Sequence, residues 1–346
     1  MAAAVNDHSH KLVTVIGGSG FLGRHIVRAL AKDGYRIRVA VRRPDLAGHI
    51  QPLGKVGQIV PVQANLRYPD SLDAACTSAY AVINLVGILH RTGPQTFESI
   101  HAQGAEAAAL AASRAGAAIF IQMSALGANP DSASAYARTK AEGEVRARSA
   151  FPGAIIIRPS IVFGPEDAFF NRFAAMARIS PVLPLIGGGR TRFQPVFVGD
   201  VADAIAKLLD RGIADGRVYE LGGPETYSFR DLMRFTLRTV MRRRLLLPVP
   251  FGIATGLASI LQLLPRPFLT QDQVLLLQRD NVVSDEAAND GRTLKGLGLE
   301  PRDIEAMVPS YLYRYRRAGQ FTEIERRLES LLSRGIDTLR GRDRAP

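Results

Sequence analysis

The chain has 346 residues, 47% of them hydrophobic and 22% charged, which excludes a wholly disordered or collagen-like chain. Its one cysteine, Cys76, excludes an intramolecular disulfide framework and a cysteine-built zinc site. With 44 basic and 32 acidic residues, the net charge of +12 favours a phosphorylated ligand, an anionic membrane, an acidic partner or nucleic acid.

The first segment, Met1–His10, is short and polar and lacks the apolar core of a secretory signal. We therefore expect the protein in the cytoplasm or on the cytoplasmic face of a membrane.

A strand, a glycine turn, a helix and a second strand follow within about thirty residues. Leu12–Ile16 is β-branched, apolar residues from Phe21 to Leu30 recur at helical spacing, and Arg36–Val41 is again strand-like. The alternation continues with strands predicted at 58–63, 81–86, 118–124 and 154–158, and helices at 70–76, 97–115 and 135–149. Strands that are apolar throughout and alternate with helices predict a parallel sheet covered on both faces.

Beyond Pro159, proline and glycine become frequent. Val196–Val198, a helix at 201–209 and a strand at Val218–Leu221 are predicted to return to the sheet. A helix is predicted over Ser228–Val240. The segments after it are Arg242-Arg243-Arg244, the charge-free stretch Leu245–Leu264 and an amphipathic helix at Phe321–Arg340.

Gly17, Gly20 and Gly23 are spaced G-x-x-G-x-x-G between the first strand and the first helix. The first glycine permits the tight turn, the second lets backbone approach a pyrophosphate, and the third lets the helix pack closely. The helix N-terminus adds free N–H groups. The pattern predicts dinucleotide binding, and the alternative is an ordinary strand–helix turn.

The end of the second strand distinguishes the two nicotinamide dinucleotides. An NAD site usually has an acidic residue there for the ribose 2′-hydroxyl, but this strand continues into Arg42 and Arg43, with no acid before Asp45. Arg24 follows the third glycine. Because guanidinium groups bind phosphate well, we predict NADP(H). The alternative is that Arg42 and Arg43 are solvated surface charges.

Tyr136 and Lys140 are four residues apart and share one face of a predicted helix. A lysine ammonium beside a phenol is expected to lower the tyrosine pKa, so that Tyr136 can act as a general acid or base. Ser124, at the end of the preceding strand, is a candidate to orient the substrate oxygen, and its alternative role is structural.

Over residues 11–235 the chain resembles the extended or atypical short-chain dehydrogenase/reductases. The resemblance rests on 17–23 (GGSGFLG), 84–87 (NLVG), Tyr136 with Lys140, 158–165 (RPSIVFGP) and 194–202 (QPVFVGDVA). It implies a doubly wound parallel Rossmann sheet with a smaller C-terminal α/β lobe. Asn65 and Leu66 would border the adenine, Leu85–Gly87 the ribose, and Pro159–Ile161 the nicotinamide. The cofactor-binding candidates are Gly17, Gly20, Phe21, Leu22, Gly23, Arg24, Arg42, Arg43, Asn65, Leu66, Leu85, Val86, Gly87, Tyr136, Lys140, Pro159, Ser160 and Ile161.

We expect four parts. These are a flexible N-terminus (1–10), an NADP-binding Rossmann domain (11–165 and 196–223), a smaller substrate or partner lobe (166–195 and 224–318), and an amphipathic C-terminal helix and tail (319–346).

Residues 136–142, 150–167, 169–176 and 245–250 also resemble one subgroup, the accessory subunits of respiratory complex I, NADH:ubiquinone oxidoreductase. This resemblance implies that NADPH is a structural element, that complex I subunits are the partners, and that the chain lies peripherally on the cytoplasmic face of the inner membrane. One departure from the wider family is His101, where many members have asparagine in a proton relay.

Leu245–Leu264 is about long enough to span a bilayer, but its prolines and glycines disfavour a continuous spanning helix. We expect either that it lies at an anionic membrane surface beside Arg242-Arg243-Arg244 or that it packs on the core. The C-terminal helix is interpreted as a solvated face or a partner-binding helix. The basic residues lack the aromatic interleaving of a nucleic-acid module, so nucleic acid is not expected as a partner. No metal is expected either.

Three functions follow from these patterns. The first is an NADP(H)-holding accessory or assembly subunit of complex I. The alternative is an active NADPH-dependent oxidoreductase or epimerase/dehydratase that uses Tyr136 and Lys140 on an apolar quinone- or isoprenoid-like carbonyl. A third is a redox sensor that changes partner with cofactor occupancy. The sequence leaves open whether the protein is an enzyme.

Overall fold

A computed structural model describes residues 8–262, 264, 267 and 269–317. The predicted helix at Phe321–Arg340 and most of the predicted flexible N-terminus lie outside these residues.

The elements alternate along the chain as predicted for an α/β fold. The strands are β1 (Leu12–Ile16), β2 (Arg36–Val41), β3 (Ile59–Gln63), β4 (Ala81–Asn84), β5 (Ile119–Met123), β6 (Ile155–Pro159), β7 (Val162–Phe163), β8 (Val182–Ile186), β9 (Arg192–Phe193), β10 (Val196–Phe197), β11 (Val218–Leu221), β12 (Tyr227–Ser228) and β13 (Leu245–Val249). The α-helices are α1 (Phe21–Lys32), α2 (Pro69–Cys76), α3 (Gln103–Arg114), α4 (Ala135–Ala150), α5 (Phe170–Ile179), α6 (Val198–Asp210), α7 (Phe229–Thr239), α8 (Phe251–Leu261), α9 (Gln271–Leu276), α10 (Asp285–Asn289), α11 (Ile304–Met307) and α12 (Pro309–Leu312).

Seven parallel strands form the main sheet, in the order β11-β6-β5-β4-β1-β2-β3. Successive side chains of β1 alternate between the two faces, so Val13 and Val15 pack with α1 and α6, while Ile16 packs with α2 and α3. This confirms the doubly wound parallel sheet. The chain winds outward in opposite directions from β1 and β4, and this switch point opens a crevice at the strands' carboxyl ends.

The remaining strands form three two-stranded pairs outside the main sheet, β7 with β10, β8 with β13 and β9 with β12. Phenylalanine rings, among them Phe163, Phe170 and Phe229, fill the core of this part. The expected domain boundaries themselves stay a prediction.

Two predictions about these elements need correction. Val196–Val198 does not return to the main sheet, because β10 has only two residues and pairs with β7 instead, so only β11 rejoins it. The helix predicted over 97–115 begins with a π-helical turn, Glu98–Ala102, and continues as α3.

The charge-free stretch Leu245–Leu264 folds as strand β13, which pairs with β8, followed by helix α8. Within the described part of the chain, every helix is too short or too polar to cross a bilayer.

Candidate functional site

The glycine turn between β1 and α1 lies at the switch point. Gly17 has a φ of +82°, and a Cβ there would lie 3.0 Å from Val86 Cγ2. A Cβ at Gly23 would lie 2.5 Å from the Gly18 backbone, so α1 packs directly on the turn. Gly20 caps α1 without a side-chain hydrogen bond, and the first turn of the helix has no acid. The residues therefore fit a dinucleotide, since the turn leaves no room for a side chain at Gly17 or Gly23 and the helix N–H groups are available to a pyrophosphate.

Two arginines follow β2 at the rim of the crevice, and they differ in their contacts. Arg43 forms an exposed ion pair with Asp45, Nη2 to Oδ2 at 2.9 Å, which raises the pKa of Arg43 and lowers that of Asp45. Arg42 is exposed and has no hydrogen-bond or ion-pair partner among the residues that the structure describes. Arg42 is therefore the cation most available to a ligand at this rim.

Arg24 contacts a different part of the chain. Its Nη1 lies 3.2 Å from Glu166 Oε1, in the loop after β7, while its buried Nε has no hydrogen-bond partner among the described residues. The structure thus places Arg24 against the start of the expected smaller lobe (166–195 and 224–318), the second lobe.

The loops after β3 and β4 carry the residues expected beside adenine and ribose. Asn65 Oδ1 accepts from the Arg67 N–H, and Leu66 is buried against α3 at Gly104. Leu85, Val86 and Gly87 follow β4, where the buried Asn84 side chain accepts from the Val86 N–H at 3.2 Å. A side-chain hydrogen bond from Asn84 to Gln122 ties this loop to β5.

Helix α4 presents Tyr136, Lys140 and Glu144 at four-residue intervals, hence on one face. Ser134 caps the helix, and the Asp272 carboxylate from α9 accepts from Ser134 Oγ at 2.8 Å and from the Ala135 N–H at 2.6 Å. A carboxylate at this end of a helix stabilises it. The second lobe therefore fixes the start of the helix that carries Tyr136.

The expected lowering of the Tyr136 pKa is wrong for this structure. Burial, with a smaller contribution from the Asp272 carboxylate, raises the pKa of Tyr136 to about 12. The Lys140 ammonium does not offset this, because Nζ lies 5.9 Å from the centre of the Tyr136 ring and donates to the Met123 carbonyl at 3.1 Å. Burial also lowers the pKa of Lys140 to about 8, and the Glu144 carboxylate opposes that shift.

Ser124 is buried, and its hydroxyl donates to Glu144 Oε1 at 2.5 Å. Arg158 on β6 binds the same carboxylate bidentately, through Nε at 2.8 Å and Nη2 at 2.6 Å. The Arg158 Nη1 lies 3.7 Å from Glu220 on β11. Ser124 is thus part of a buried ionic network around Glu144, on the same face of α4 as Tyr136, and an orienting role for Ser124 stays a prediction.

His101, in the π-helical turn, is buried beside Tyr136, with the two rings edge to face and 5.2 Å between centroids. Its Nε2 accepts from the Ile88 N–H at 3.1 Å, so its Nδ1–H donates to Thr139 Oγ1 at 3.2 Å. Burial and, to a smaller extent, the Lys140 charge lower the pKa of His101 to about 3. The imidazole is therefore neutral, and both of its ring nitrogens are hydrogen-bonded.

The last strand-end segment, Pro159–Ile161, is held by the second lobe. Ser160 Oγ donates to Asn281 Oδ1 at 2.7 Å, and Asn281 Nδ2 donates to the Leu126 carbonyl at 3.2 Å. Asn281 therefore joins the two loops that would flank a nicotinamide.

Sequence reasoning missed several residues of this site. The four-residue spacing from Lys140 is a local signal that could have found Glu144. Asp272 and Asn281 lie far along the chain in a different lobe, and no local pattern connects them to α4 or β6. The structure brings the predicted residues together at one edge of the sheet, and their roles as cofactor ligands stay predictions.

Residues 13–222 match the pattern of the NAD dependent epimerase/dehydratase family. The chain is 36% identical over 325 residues to NADH dehydrogenase [ubiquinone] 1 alpha subcomplex subunit 9, mitochondrial, of Arabidopsis thaliana, covering 89% of this chain and 79% of that protein. It is 38% identical over 257 residues to the ceramide reductase of Caulobacter vibrioides, covering 72% of this chain and 77% of that protein.

A solved structure of dTDP-glucose 4,6-dehydratase from Streptomyces venezuelae, with NAD bound, superposes with a TM-score of 0.67 at 20% identity, covering 88% of this chain and 96% of that chain. At this identity the likeness shows the fold. Together with the glycine turn, the family match supports a nicotinamide dinucleotide as the cofactor.

Proposed function

The chain belongs to the NAD dependent epimerase/dehydratase family, and from this premise we propose that it is an NADP(H)-holding accessory subunit of respiratory complex I. The observation that carries the proposal is the similarity to an NADH dehydrogenase subunit over 89% of the chain, through both lobes. A match confined to the Rossmann sheet would support only nucleotide binding.

The cofactor in this proposal is structural, and the side chains around Tyr136 support that role. The Ser124 hydroxyl is taken by Glu144, the Lys140 ammonium by the Met123 carbonyl, and the His101 ring by two hydrogen bonds. A tyrosine pKa near 12 disfavours proton transfer at neutral pH. Tyr136 and Lys140 remain suited to holding a ribose by hydrogen bonds.

The choice of NADP(H) over NAD(H) rests on Arg42. The end of β2 lacks the acidic residue that would bind a ribose 2′-hydroxyl and repel a phosphate. Arg42, which follows the strand, is exposed and has no ion-pair partner among the described residues. Arg43 contributes less, because Asp45 already neutralises it.

The test has two parts. The protein is purified gently, denatured, and the released nucleotide is identified. NADPH near one per chain that exchanges over hours supports a structural cofactor, whereas an empty site that binds NADPH within seconds opposes it. Arg42→Gln is expected to weaken NADPH about tenfold and to leave NADH unchanged, because one charge-assisted contact is worth about 1.5 kcal/mol. Equal losses for both nucleotides would refute the NADP assignment.

We also propose that the second lobe docks on an anionic membrane surface, the cytoplasmic face of the inner membrane. Ile253, Leu257 and Ile260 of α8 are 59%, 49% and 68% exposed along one face, while Ala254 and Ala258 pack inward. Strand β13 precedes α8 in the sequence, and its side chains Leu245 and Leu247 are 64% and 50% exposed. Helix α8 contains no charged residue, so its exposed apolar side chains suit the boundary between headgroups and acyl chains.

Closely spaced arginines precede this apolar surface. Partial burial and the neighbouring guanidinium groups of Arg244, Arg317 and Arg178 lower the pKa of Arg242. Such a cluster favours lipid phosphate as its counter-ion, at about 1 kcal/mol per residue.

Vesicle sedimentation tests the docking surface. Binding is expected to vesicles with 30% phosphatidylglycerol and not to pure phosphatidylcholine, and to fall with salt. Leu257→Gln should weaken it, and the control Val145→Gln, which replaces a 64% exposed valine on α4, should not. Equal binding by both variants would refute the assignment of α8.

A second candidate function is favoured by the 38% identity to a ceramide reductase and by the retained Tyr136 and Lys140. In this alternative the protein reduces the carbonyl of an apolar, long-chain substrate, and a bound nicotinamide supplies the hydride. Tyr136 would hold the proton destined for the carbonyl oxygen, and Lys140 would keep the ribose in place. Turnover of a keto-lipid with NADPH that Tyr136→Phe abolishes would establish it, and unchanged turnover in that variant would exclude this mechanism.

A further inference from the structure

Asn281, a residue of the second lobe just beyond α9, connects two loops of the main sheet. Its Oδ1 accepts from Ser160 Oγ at 2.7 Å, in the loop after β6, and its Nδ2 donates to the Leu126 carbonyl at 3.2 Å, in the loop after β5. A flipped amide would set Oδ1 against the Leu126 carbonyl oxygen, so these two partners define its orientation. Both ends of one side-chain amide therefore hold the two loops.

The backbone that carries this side chain is fixed within the second lobe. The Asn281 N–H donates to the Arg192 carbonyl at 2.8 Å, and the Asn281 carbonyl accepts from the Gln194 N–H at 3.1 Å, which places residue 281 beside Phe193 of β9. The neighbouring Asp280 carboxylate accepts from the N–H and the Nε of Arg192, each at 2.8 Å. The position of the Asn281 amide is therefore set by the second lobe.

The two loops lie on one side of the switch point. In a doubly wound sheet each half binds one mononucleotide, and the pyrophosphate lies between the halves at the first glycine turn. The half formed by β1, β2 and β3 carries Arg42, where the 2′-phosphate is proposed, so a nicotinamide would lie at the ends of β4, β5 and β6. Because Asn281 holds the loops after β5 and β6, its side chain acts on the nicotinamide half of the crevice.

We propose that Asn281 is a positioning residue for the nicotinamide half of the dinucleotide, and that the second lobe determines through it how tightly this half is bound. The inference rests on the proposed NADP(H) site. Asn281 acts through the Ser160 hydroxyl and the Leu126 carbonyl rather than by touching the nucleotide. Without its amide these two groups lose a partner, and binding has to order both loops at a cost in affinity. The adenosine half binds independently of this contact.

The test compares two ligands that share the adenosine half. NADPH carries both halves, whereas adenosine 2′,5′-bisphosphate lacks the nicotinamide, and calorimetric titration of the full chain freed of nucleotide gives a dissociation constant for each. The variant Asn281→Leu keeps the size of the side chain and removes its hydrogen bonds.

The matched control is Gln58→Met. The Gln58 amide also joins backbone groups, because its Nε2 donates to the Ala31 carbonyl at 2.7 Å and to the Tyr35 carbonyl at 2.9 Å. It precedes β3, at the amino ends of the strands and hence at the opposite edge of the sheet from the crevice. A loss of nucleotide affinity that came only from a weakened fold would therefore appear in both variants.

Asn281→Leu is expected to weaken NADPH about tenfold and adenosine 2′,5′-bisphosphate less than about twofold, because ordering the loops costs about as much as one hydrogen bond. Gln58→Met should leave both dissociation constants unchanged. Ser160→Ala removes only one oxygen atom, so it keeps the test available if Asn281→Leu fails to fold, and it should weaken NADPH about threefold without affecting the bisphosphate.

Three results would overturn the proposal and leave the NADP(H) site intact. These are an equal loss for the two ligands in Asn281→Leu, an equal loss of NADPH affinity in Gln58→Met, and unchanged NADPH affinity in both Asn281→Leu and Ser160→Ala. A wild-type protein that binds neither ligand would overturn the NADP(H) site as well.

Discussion

The buried ionic network of Glu144, Arg158 and Ser124 gives the sharpest test of how α4 packs on the sheet. Glu144 is 4% exposed, and Glu144→Gln keeps its shape while removing its charge. Arg158, whose side chain is 24% exposed, would keep only Glu220 at 3.7 Å as an acidic neighbour, and the Ser124 hydroxyl would lose its charged acceptor. Breaking a buried pair costs about 3–5 kcal/mol, and partial solvation of Arg158 favours the lower limit, about 3 kcal/mol.

The matched control lies half a helical turn away. Glu142 pairs with Arg146 on the same helix, but these side chains are 42% and 35% exposed. Glu142→Gln should therefore cost about 0.5 kcal/mol. Urea unfolding followed by circular dichroism gives both values, and for a chain of 346 residues the larger one corresponds to a fall of about 4 °C in Tm. If both variants lose equal stability, or if Glu144→Gln loses less than about 1 kcal/mol, Glu144 and Arg158 do not act as a buried ion pair.

Three further perturbations follow. His101 is neutral in the folded protein but takes up a proton near pH 6.5 in the unfolded chain, so the free energy of unfolding decreases as the pH is lowered. In urea unfolding, the wild type should therefore lose about 2 kcal/mol more than His101→Asn between pH 7 and pH 5. A Cβ at Gly143 would lie 2.0 Å from the His101 carbonyl oxygen, so Gly143→Ala should cost at least about 2 kcal/mol, whereas Gly256→Ala, with open space in α8, should add about 0.5–1 kcal/mol. Asp272→Asn should cost about 1 kcal/mol and lower the pKa of Tyr136, as phenol absorbance in a pH titration would show.

The main sheet was predictable because its signals are local. The β-branched Leu12–Ile16, the glycine turn and the helical spacing after it each lie within a dozen residues, and the structure confirms them nearly to the residue. The strand at Val196 was misplaced because a two-residue pairing with β7 depends on where the chain returns in space. Apolar character alone does not specify the partner strand.

The site was predictable only on the Rossmann side. The spacing of Tyr136 and Lys140 predicts a shared face, but the pKa of Tyr136 depends on burial and on Asp272, which is 136 residues away along the chain. The sign of the shift was therefore wrong, because a nearby lysine was assumed to reach the phenol. The actual partner of Lys140 is a backbone carbonyl, that of Met123, which no side-chain pattern reveals.

The second lobe connects the cofactor site to the apolar face of α8, and this connection explains how a cofactor could serve assembly without turnover. Helix α9 packs on α8 through Val274 and Ala258, its Asp272 fixes the start of α4, and Asn281 just beyond it holds Ser160. A nucleotide bound between α4 and the Ser160 loop would therefore stabilise the elements that support α8. At a thousandfold excess over its dissociation constant, such a ligand contributes about 4 kcal/mol to the folded state. That free energy would preserve the docking surface for as long as the nucleotide stays bound, which requires slow exchange and no chemistry.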